Sequence, residues 1–139
     1  MEKKFQIVEL DKNQAEKYAN DIARLYVLAE WNTPETPIEQ ISQSLKNSFC
    51  AFAAYQDGKM VGYFRALSDG VADAYLLDLF VEPTFRRQGI AYALTEAIVC
   101  KLKDCNIEWI TAISTPEAKK LYLKLGAEMD LHTPIRFFI

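Results

Sequence analysis

Histidine is nearly absent: His132 is the only one in 139 residues. Zinc sites draw on several closely spaced Cys or His side chains, and no such cluster stands here, so no metal is expected. Nucleophilic catalysis of the Ser-His or Cys-His kind would rest on that single imidazole, which disfavours it. Cysteine is scarce too. Cys50, Cys100 and Cys105 are an odd number without an export signal, and read as reduced thiols. No run of about 18 apolar residues is present, so no membrane-spanning helix is expected. No apolar core follows Met1-Glu2-Lys3-Lys4, because Glu9, Asp11 and Lys12 interrupt it; a cytoplasmic protein is expected. Basic tracts and RNA-binding aromatic motifs are missing and the net charge is −3, so nucleic acid is not an expected partner. Repeats, low-complexity tracts and long linkers are also absent.

What is present is an ordinary globular balance, 50% hydrophobic and 25% charged residues. The length fits one domain over residues 1–139, large enough to bury about 68–70% of its unfolded surface. Charge is uneven. Up to Val81 there are eight basic and twelve acidic side chains; from Glu82 to Lys124 there are seven and five. A basic stretch beside an acidic one can seat a polyanion next to a cation, although for any single residue solvated surface charge is the simpler reading.

Periodicity predicts the elements. Phe5 to Val8 forms a first strand. Ala15, Tyr18, Ala19, Ile22, Leu25, Tyr26 and Ala29 give a helix with one buried face, ending near Trp31-Asn32. Thr36-Pro37-Ile38-Glu39 reads as N-cap, Pro at N1 and Glu at N3 of a second, short helix carrying Ile38, Ile41 and Leu45. Phe49 to Tyr55 and Met60 to Leu67 flank Asp57-Gly58, a type I′ hairpin signal. Tyr75 to Val81 is nearly continuous apolar, as in a strand covered on both faces. Gln88 to Asp104 is helical, and Ile107 to Ile113 is a strand parallel to the last. Thr115-Pro116 starts a helix that Gly126 ends. Ile135 to Ile139 is a final strand, whose apolar edge invites a second copy, as in a homodimer. The order β-α-α-β-β-β-α-β-α-β describes a mixed α/β sheet with helices on its faces.

The segment Asp78-Leu79-Phe80-Val81-Glu82-Pro83-Thr84-Phe85-Arg86-Arg87-Gln88-Gly89-Ile90-Ala91 carries the most chemistry. A buried strand feeds a loop with two arginines, and the loop enters a helix at Gly89. Free N–H groups and the dipole of a helix start favour a phosphate. Arg86 and Arg87 can add charge-assisted hydrogen bonds. A solvated turn that happens to contain glycine fits the spacing equally well. No Gly-Lys-Ser/Thr follows, so it is not a Walker loop, and one glycine of three is not a dinucleotide fingerprint.

Arg86-Arg87-Gln88-Gly89-Ile90-Ala91 resembles the Gln/Arg-x-x-Gly-x-Gly/Ala signature of the GNAT superfamily of N-acetyltransferases, and Val81-x-Pro83 before it fits as well. A second family block, Ala-x-x-Leu-Tyr-x-x-x-Gly, is matched by Ala118-Lys119-Lys120-Leu121-Tyr122-Leu123-Lys124-Leu125-Gly126. The two blocks in this order span a resemblance over nearly the whole chain. Val61 to Gly70 is similar to small bacterial members of the aralkylamine-acetyltransferase-like type. The sequence departs from the pattern at Thr115 (Asn in many members), Arg87 (commonly Gly) and Ala127 (usually aromatic).

The resemblance implies a GNAT-like fold and acetyl-CoA as donor to a primary amine, by direct transfer in a ternary complex. It implies that backbone N–H groups from Arg87 to Ala91, with Gln88, Gly89 and Ile90 between, hold the pyrophosphate. It implies a bulged strand on which Leu79 and Val81 pair with the pantetheine arm. An N–H at Leu79 or Phe80 would polarise the thioester carbonyl, and Thr115 stands at a further pantetheine contact. Tyr122 matches the tyrosine near the sulfur, where it could protonate the leaving thiolate; spacing alone would make it core. Asp78 in an apolar strand is costly unless paired. It is either a base for the substrate ammonium or a structural partner, with Arg65 on the neighbouring strand the candidate. Tyr26, Glu30 and Trp31 end the first helix, where the family builds its acceptor pocket. Trp31 either stacks on an aromatic or cationic amine or staples the helices. Asp73 and Tyr75 are further candidates for that mouth. A ping-pong route through cysteine is disfavoured, because all three lie in predicted core elements and His132 in a distant loop. The rival from another class is a non-catalytic acyl-CoA-binding module that regulates a partner.

Overall fold

The structure is a computed structural model and describes residues 4–138. Short β1 (Gln6–Glu9) leads through a 3₁₀ turn into α1 (Ala15–Leu28), and α2 (Ile38–Asn47) follows. Alternating small and large apolar residues then make β2 (Cys50–Gln56), buried over its first five positions. Asp57 and Gly58 both take positive φ, 53° and 75°, which is the type I′ turn that Asp-Gly favours. The chain returns as β3 (Lys59–Leu67) and crosses to β4 (Asp73–Val81). α3 (Ile90–Asp104), β5 (Trp109–Ala112) and α4 (Pro116–Lys124) complete the order. The sheet runs β1-β2-β3-β4-β5, antiparallel up to β4 and parallel between β4 and β5. The parallel pair is the βαβ unit expected around α3.

Two cores sandwich this sheet. On one face α1 and α2 pack Ile22, Leu25, Tyr26, Ile41 and Leu45 against Ala51, Ala53, Met60 and Tyr63. On the other, α3 sets Ile90, Leu94, Ile98 and Leu102 against Phe52, Val61, Phe64 and Leu76. Each fully buried Leu or Ile contributes about 1.5–3 kcal/mol. Gly62 is what lets α3 lie this close. A Cβ there would sit 3.1 Å from Leu94 Cδ1 and 3.2 Å from Ile90 Cγ2. The start of α3 is therefore fixed against the sheet by a missing side chain.

The structure corrects the sequence expectations in four places. α2 begins one residue later than expected, after Pro37, and no side chain caps it. Thr36 instead accepts a hydrogen bond from the Thr33 N–H within the preceding turn, at 3.3 Å. α3 begins at Ile90 rather than Gln88, because Arg87 and Gly89 take left-handed φ. Cys100, expected in the core, is exposed on α3. The strand expected over Ile135 to Ile139 does not form among the described residues; Ile139 lies outside them. Strand-forming residues need a ladder to join, and Pro134 has no N–H to offer one. Ile135, Phe137 and Phe138 are left exposed.

Candidate active site

β4 is paired along its length on one edge and only half its length on the other. Towards β3, partners run from Leu67↔Tyr75 to Gly62↔Val81. Towards β5 they run only from Asp73↔Trp109 to Leu76↔Ala112. From Leu77 to Val81 the β5-side edge is open, and a strand edge with unpaired N–H and C=O groups accepts another extended chain. The same stretch is bulged. Leu77 faces Arg65 and Phe80 faces Tyr63, so Asp78 and Leu79 together oppose Phe64.

Asp78 takes the strain of that bulge, with φ at +66°. A non-glycine residue held there costs on the order of 1 kcal/mol or more. Its carboxylate is fixed from two sides. Arg65 Nε and the Tyr26 hydroxyl each donate to Oδ2 at 2.7 Å. Arg65 Nη1 donates in turn to Ser48 Oγ at 3.3 Å. Oδ1 has no hydrogen-bond partner among the described residues. Burial, then the neighbouring Tyr63 and Asp78, raise the Tyr26 phenol far above its ordinary pKa, so it stays a donor. The Arg65 pairing considered from sequence is thus present. The Tyr26 hydroxyl is spent on Asp78 inside the fold.

The loop after β4 gathers backbone donors at the start of α3. Pro83–Phe85 makes a 3₁₀ turn. Arg86 Nε donates to the Val81 carbonyl at 2.9 Å, and its guanidinium lies 5.4 Å from the Phe80 ring centre. Arg86 therefore braces the loop, whereas Arg87 contributes its backbone, at φ +65°. Gln88 Nε2 donates to the Phe85 carbonyl at 3.2 Å. The N–H groups of Arg87, Gln88, Gly89, Ile90 and Ala91 donate to no carbonyl among the described residues. At Gly89, φ +86°, an added Cβ would meet nothing within 4 Å. Unused donors, a helix dipole and open space converge there, which suits a diphosphate.

Tyr122 sits on the other face of the sheet from Asp78. Its ring stacks on Phe64, centroids 6.5 Å apart and planes 9° from parallel. Burial, helped by Tyr75, pushes its pKa up to about 12. Thr115 Oγ1 accepts from the Ala118 N–H at 3.2 Å and so caps α4. The cap fixes the start of the helix that carries Tyr122.

The GNAT acetyltransferase domain, as a family model, matches residues 10–133. The chain belongs to the GNAT acetyltransferase family. It is 26% identical over 121 residues to a probable acetyltransferase of Glycine max, covering 79% of this chain and 49% of that protein. It is 29% identical over 108 residues to a chloroplastic serotonin N-acetyltransferase of rice, covering 75% and 54%. The chain spans about half the length of these curated relatives. A probable acetyltransferase from Staphylococcus aureus shares the fold, with TM-score 0.78, 18% identity and coverage of 97% of this chain and 98% of that one.

Within this GNAT fold the remaining candidates separate into two groups. Trp31 joins the Asp78 side. Its ring is edge-on to Tyr26 at 5.4 Å and to Phe80 at 5.8 Å, with 47% of the residue exposed. Glu30 precedes it in a left-handed turn at φ +63°, exposed. Asp73 lies elsewhere, at the far end of β4 by about 15 Å of strand rise, with its carbonyl accepting from Ser68 Oγ. Tyr75 faces Thr111 across the ladder and is close enough to Tyr122 to affect its ionisation, so it is not brought to Trp31. Cys50 is buried and its thiol pushed up to about 12, mainly by burial, which makes it inert. No metal-binding group of three side chains occurs among the described residues, and none of their helices is long and apolar enough to cross a membrane.

Two connections escaped the sequence. Glu82 receives Arg24 from α1 and Lys59 from the hairpin, each at 3.1 Å, and Arg24 also donates to the Met60 carbonyl at 2.6 Å. Tyr63 is fully buried, and its hydroxyl has no partner among the described residues. Arg24 and Glu82 lie 58 residues apart, and no local pattern announces such a pairing.

Proposed function

We propose that this chain is an acetyl-CoA-dependent N-acetyltransferase that moves the acetyl group directly to a primary amine in a ternary complex. The observation that carries the reading is the continuity of two features. The open edge of β4 from Leu77 to Val81 leads, through the 3₁₀ turn at Pro83–Phe85, to the unused N–H groups at the start of α3. A long thioester with a diphosphate at one end fits that path. Arg87 to Ala91 would hold the diphosphate and Leu79 and Val81 would pair with the pantetheine arm. The donor supplies an activated carbonyl carbon. The Leu79 or Phe80 N–H would stabilise the oxyanion as a fixed donor aimed at the developing charge. The amine nitrogen forms the new C–N bond as the C–S bond breaks. Tyr122 would give its proton to the sulfur, and the nitrogen's surplus proton would pass through water back to the Tyr122 phenolate, which closes the proton count.

The acceptor side favours a cationic or aralkyl amine. Trp31, half-exposed, offers an aromatic face beside Tyr26, whose hydroxyl holds the Asp78 carboxylate, and Oδ1 of that carboxylate has no hydrogen-bond partner among the described residues. A cation or aromatic ring gains from such a face. The rice relative named for serotonin acetylation supports an aromatic amine. The test is initial-rate kinetics with acetyl-CoA against phenylethylamine, tryptamine, spermidine, an aminoglycoside and a lysine peptide. Turnover of the aralkylamines with intersecting double-reciprocal lines is expected. Parallel lines would contradict direct transfer. Tight acetyl-CoA binding with no turnover of any amine would favour a non-catalytic acyl-CoA-binding module.

A further inference from the structure

We propose that Arg65 and Tyr26 are positioning residues that hold the β4 bulge open by anchoring Asp78, whose task is conformational and not proton abstraction. The inference rests on the acetyl-CoA reading of this site and adds to it the device that shapes the donor's slot. Three observations carry it. Asp78 is the one β4 residue with positive φ, +66°, and it stands where the register slips between Tyr63 and Arg65. An L side chain disfavours that conformation, so something must hold it. Both hydrogen bonds to its carboxylate converge on Oδ2 at 2.7 Å, one from β3 and one from α1. Arg65 is itself tied to Ser48 ahead of β2. The clamp therefore joins α1, the C-cap of α2, β3 and β4, and its centre is the bulge residue that precedes Leu79 and Phe80.

The charged and titratable groups facing Asp78 fit an anchor. Arg65, Tyr26 and Tyr63 surround it; the first is a cation and the others are phenols whose ionisation burial suppresses. A proton acceptor would have to work with one oxygen already occupied twice.

Glycine separates the two roles, because it adopts φ near +66° without a clamp and has no carboxylate. Acetyl-CoA affinity by calorimetry, and the pH profile of kcat/KM, are measured for Asp78→Ala, Asp78→Gly, Arg65→Met and Tyr26→Phe. Asp78→Ala should weaken acetyl-CoA about tenfold, and Asp78→Gly should recover most of that loss. Arg65→Met and Tyr26→Phe should each weaken it several-fold alone and add nothing in the Asp78→Gly background. The acid limb of the profile should survive in Asp78→Gly. Equal loss in Ala and Gly variants, or disappearance of the acid limb in the Gly variant, would overturn the proposal. If Asp78→Ala does not fold, the Arg65→Met comparison in the two backgrounds decides. Wild type that fails to bind acetyl-CoA would sink the donor assignment instead. The amide coupling constant of residue 78, read by NMR in wild type and Arg65→Met, would then still test the clamp: it should change in the variant, and an unchanged value would overturn it.

Discussion

Tyr122 is packed against the core, and the proposed reaction asks its hydroxyl for a proton as well. Its ring is stacked on Phe64 and its hydroxyl keeps its proton to about pH 12. Tyr122→Phe preserves the stack and removes only the proton donor. We expect kcat to fall by roughly 10²–10⁴, the usual contribution of a general acid, with acetyl-CoA affinity nearly unchanged. A loss of affinity equal to the loss of kcat would mark the hydroxyl as a binding group instead. The raised pKa also has a sign in stability. Below pH 10 folded and unfolded chains both hold this proton. Between pH 10 and about 12 only the folded form does, so this contribution to stability falls across that interval and is missing in Tyr122→Phe. At this scale the sequence was legible where a motif spoke. Gly89 opens α3 and Tyr122 lies on α4, the elements that the two motif blocks predict. Tyr26 was legible only as an aromatic near a pocket, because the partner that uses its hydroxyl lies 52 residues away.

Elements are placed by what they leave out as much as by what they bury. Gly62 has no Cβ to keep α3 off the sheet, and the position of the α3 start follows from that closeness. Gly62→Val should cost about 1–3 kcal/mol by overpacking Leu94 and Ile90. It should also weaken acetyl-CoA, since the start of α3 must shift. Denaturant unfolding and calorimetry check both, and stability lost without affinity lost would break the link. Glu82 joins α1 to the β3–β4 end. Burial raises its pKa, but hydrogen bonds from Lys59 and Arg24 outweigh that and hold it below its ordinary 4.5. The lowered value means stability that is present above pH 4.5 and lost as pH falls through the folded pKa. Glu82→Gln should remove about 1 kcal/mol at neutral pH, and its unfolding midpoint should depend less on pH below 4.5. An unchanged acid dependence would show that the cluster adds nothing. Periodicity found nearly every element, since α1, α3 and the hairpin each bury one regular face. Boundaries moved where backbone conformation decided them: left-handed φ at Arg87 and Gly89 delays α3, and a proline without a capping side chain opens α2.

For the whole molecule, the sheet joins two chemistries that the sequence could only place near each other. The Asp78 clamp belongs to the α1–α2 face and Tyr122 to the α3 face. Phe64, on which Tyr122 stacks, lies opposite the bulge at Asp78 and Leu79, in the stretch where β4 outlasts β5. That gap is a matter of unequal strand lengths in three dimensions, and only the family resemblance hinted at it. The C-terminal segment was misread because its apolar, strand-prone residues have no ladder to join among the described residues. The most direct test of the account is calorimetric titration of acetyl-CoA into wild type and Gly89→Trp. Gly89 takes φ +86° and an added Cβ would meet nothing within 4 Å, so an indole there would enter the space proposed for the diphosphate. Tight binding by wild type and its loss in a folded Gly89→Trp variant is the predicted result. Equal binding by both proteins, or none by wild type, would contradict the placement of the diphosphate at the start of α3.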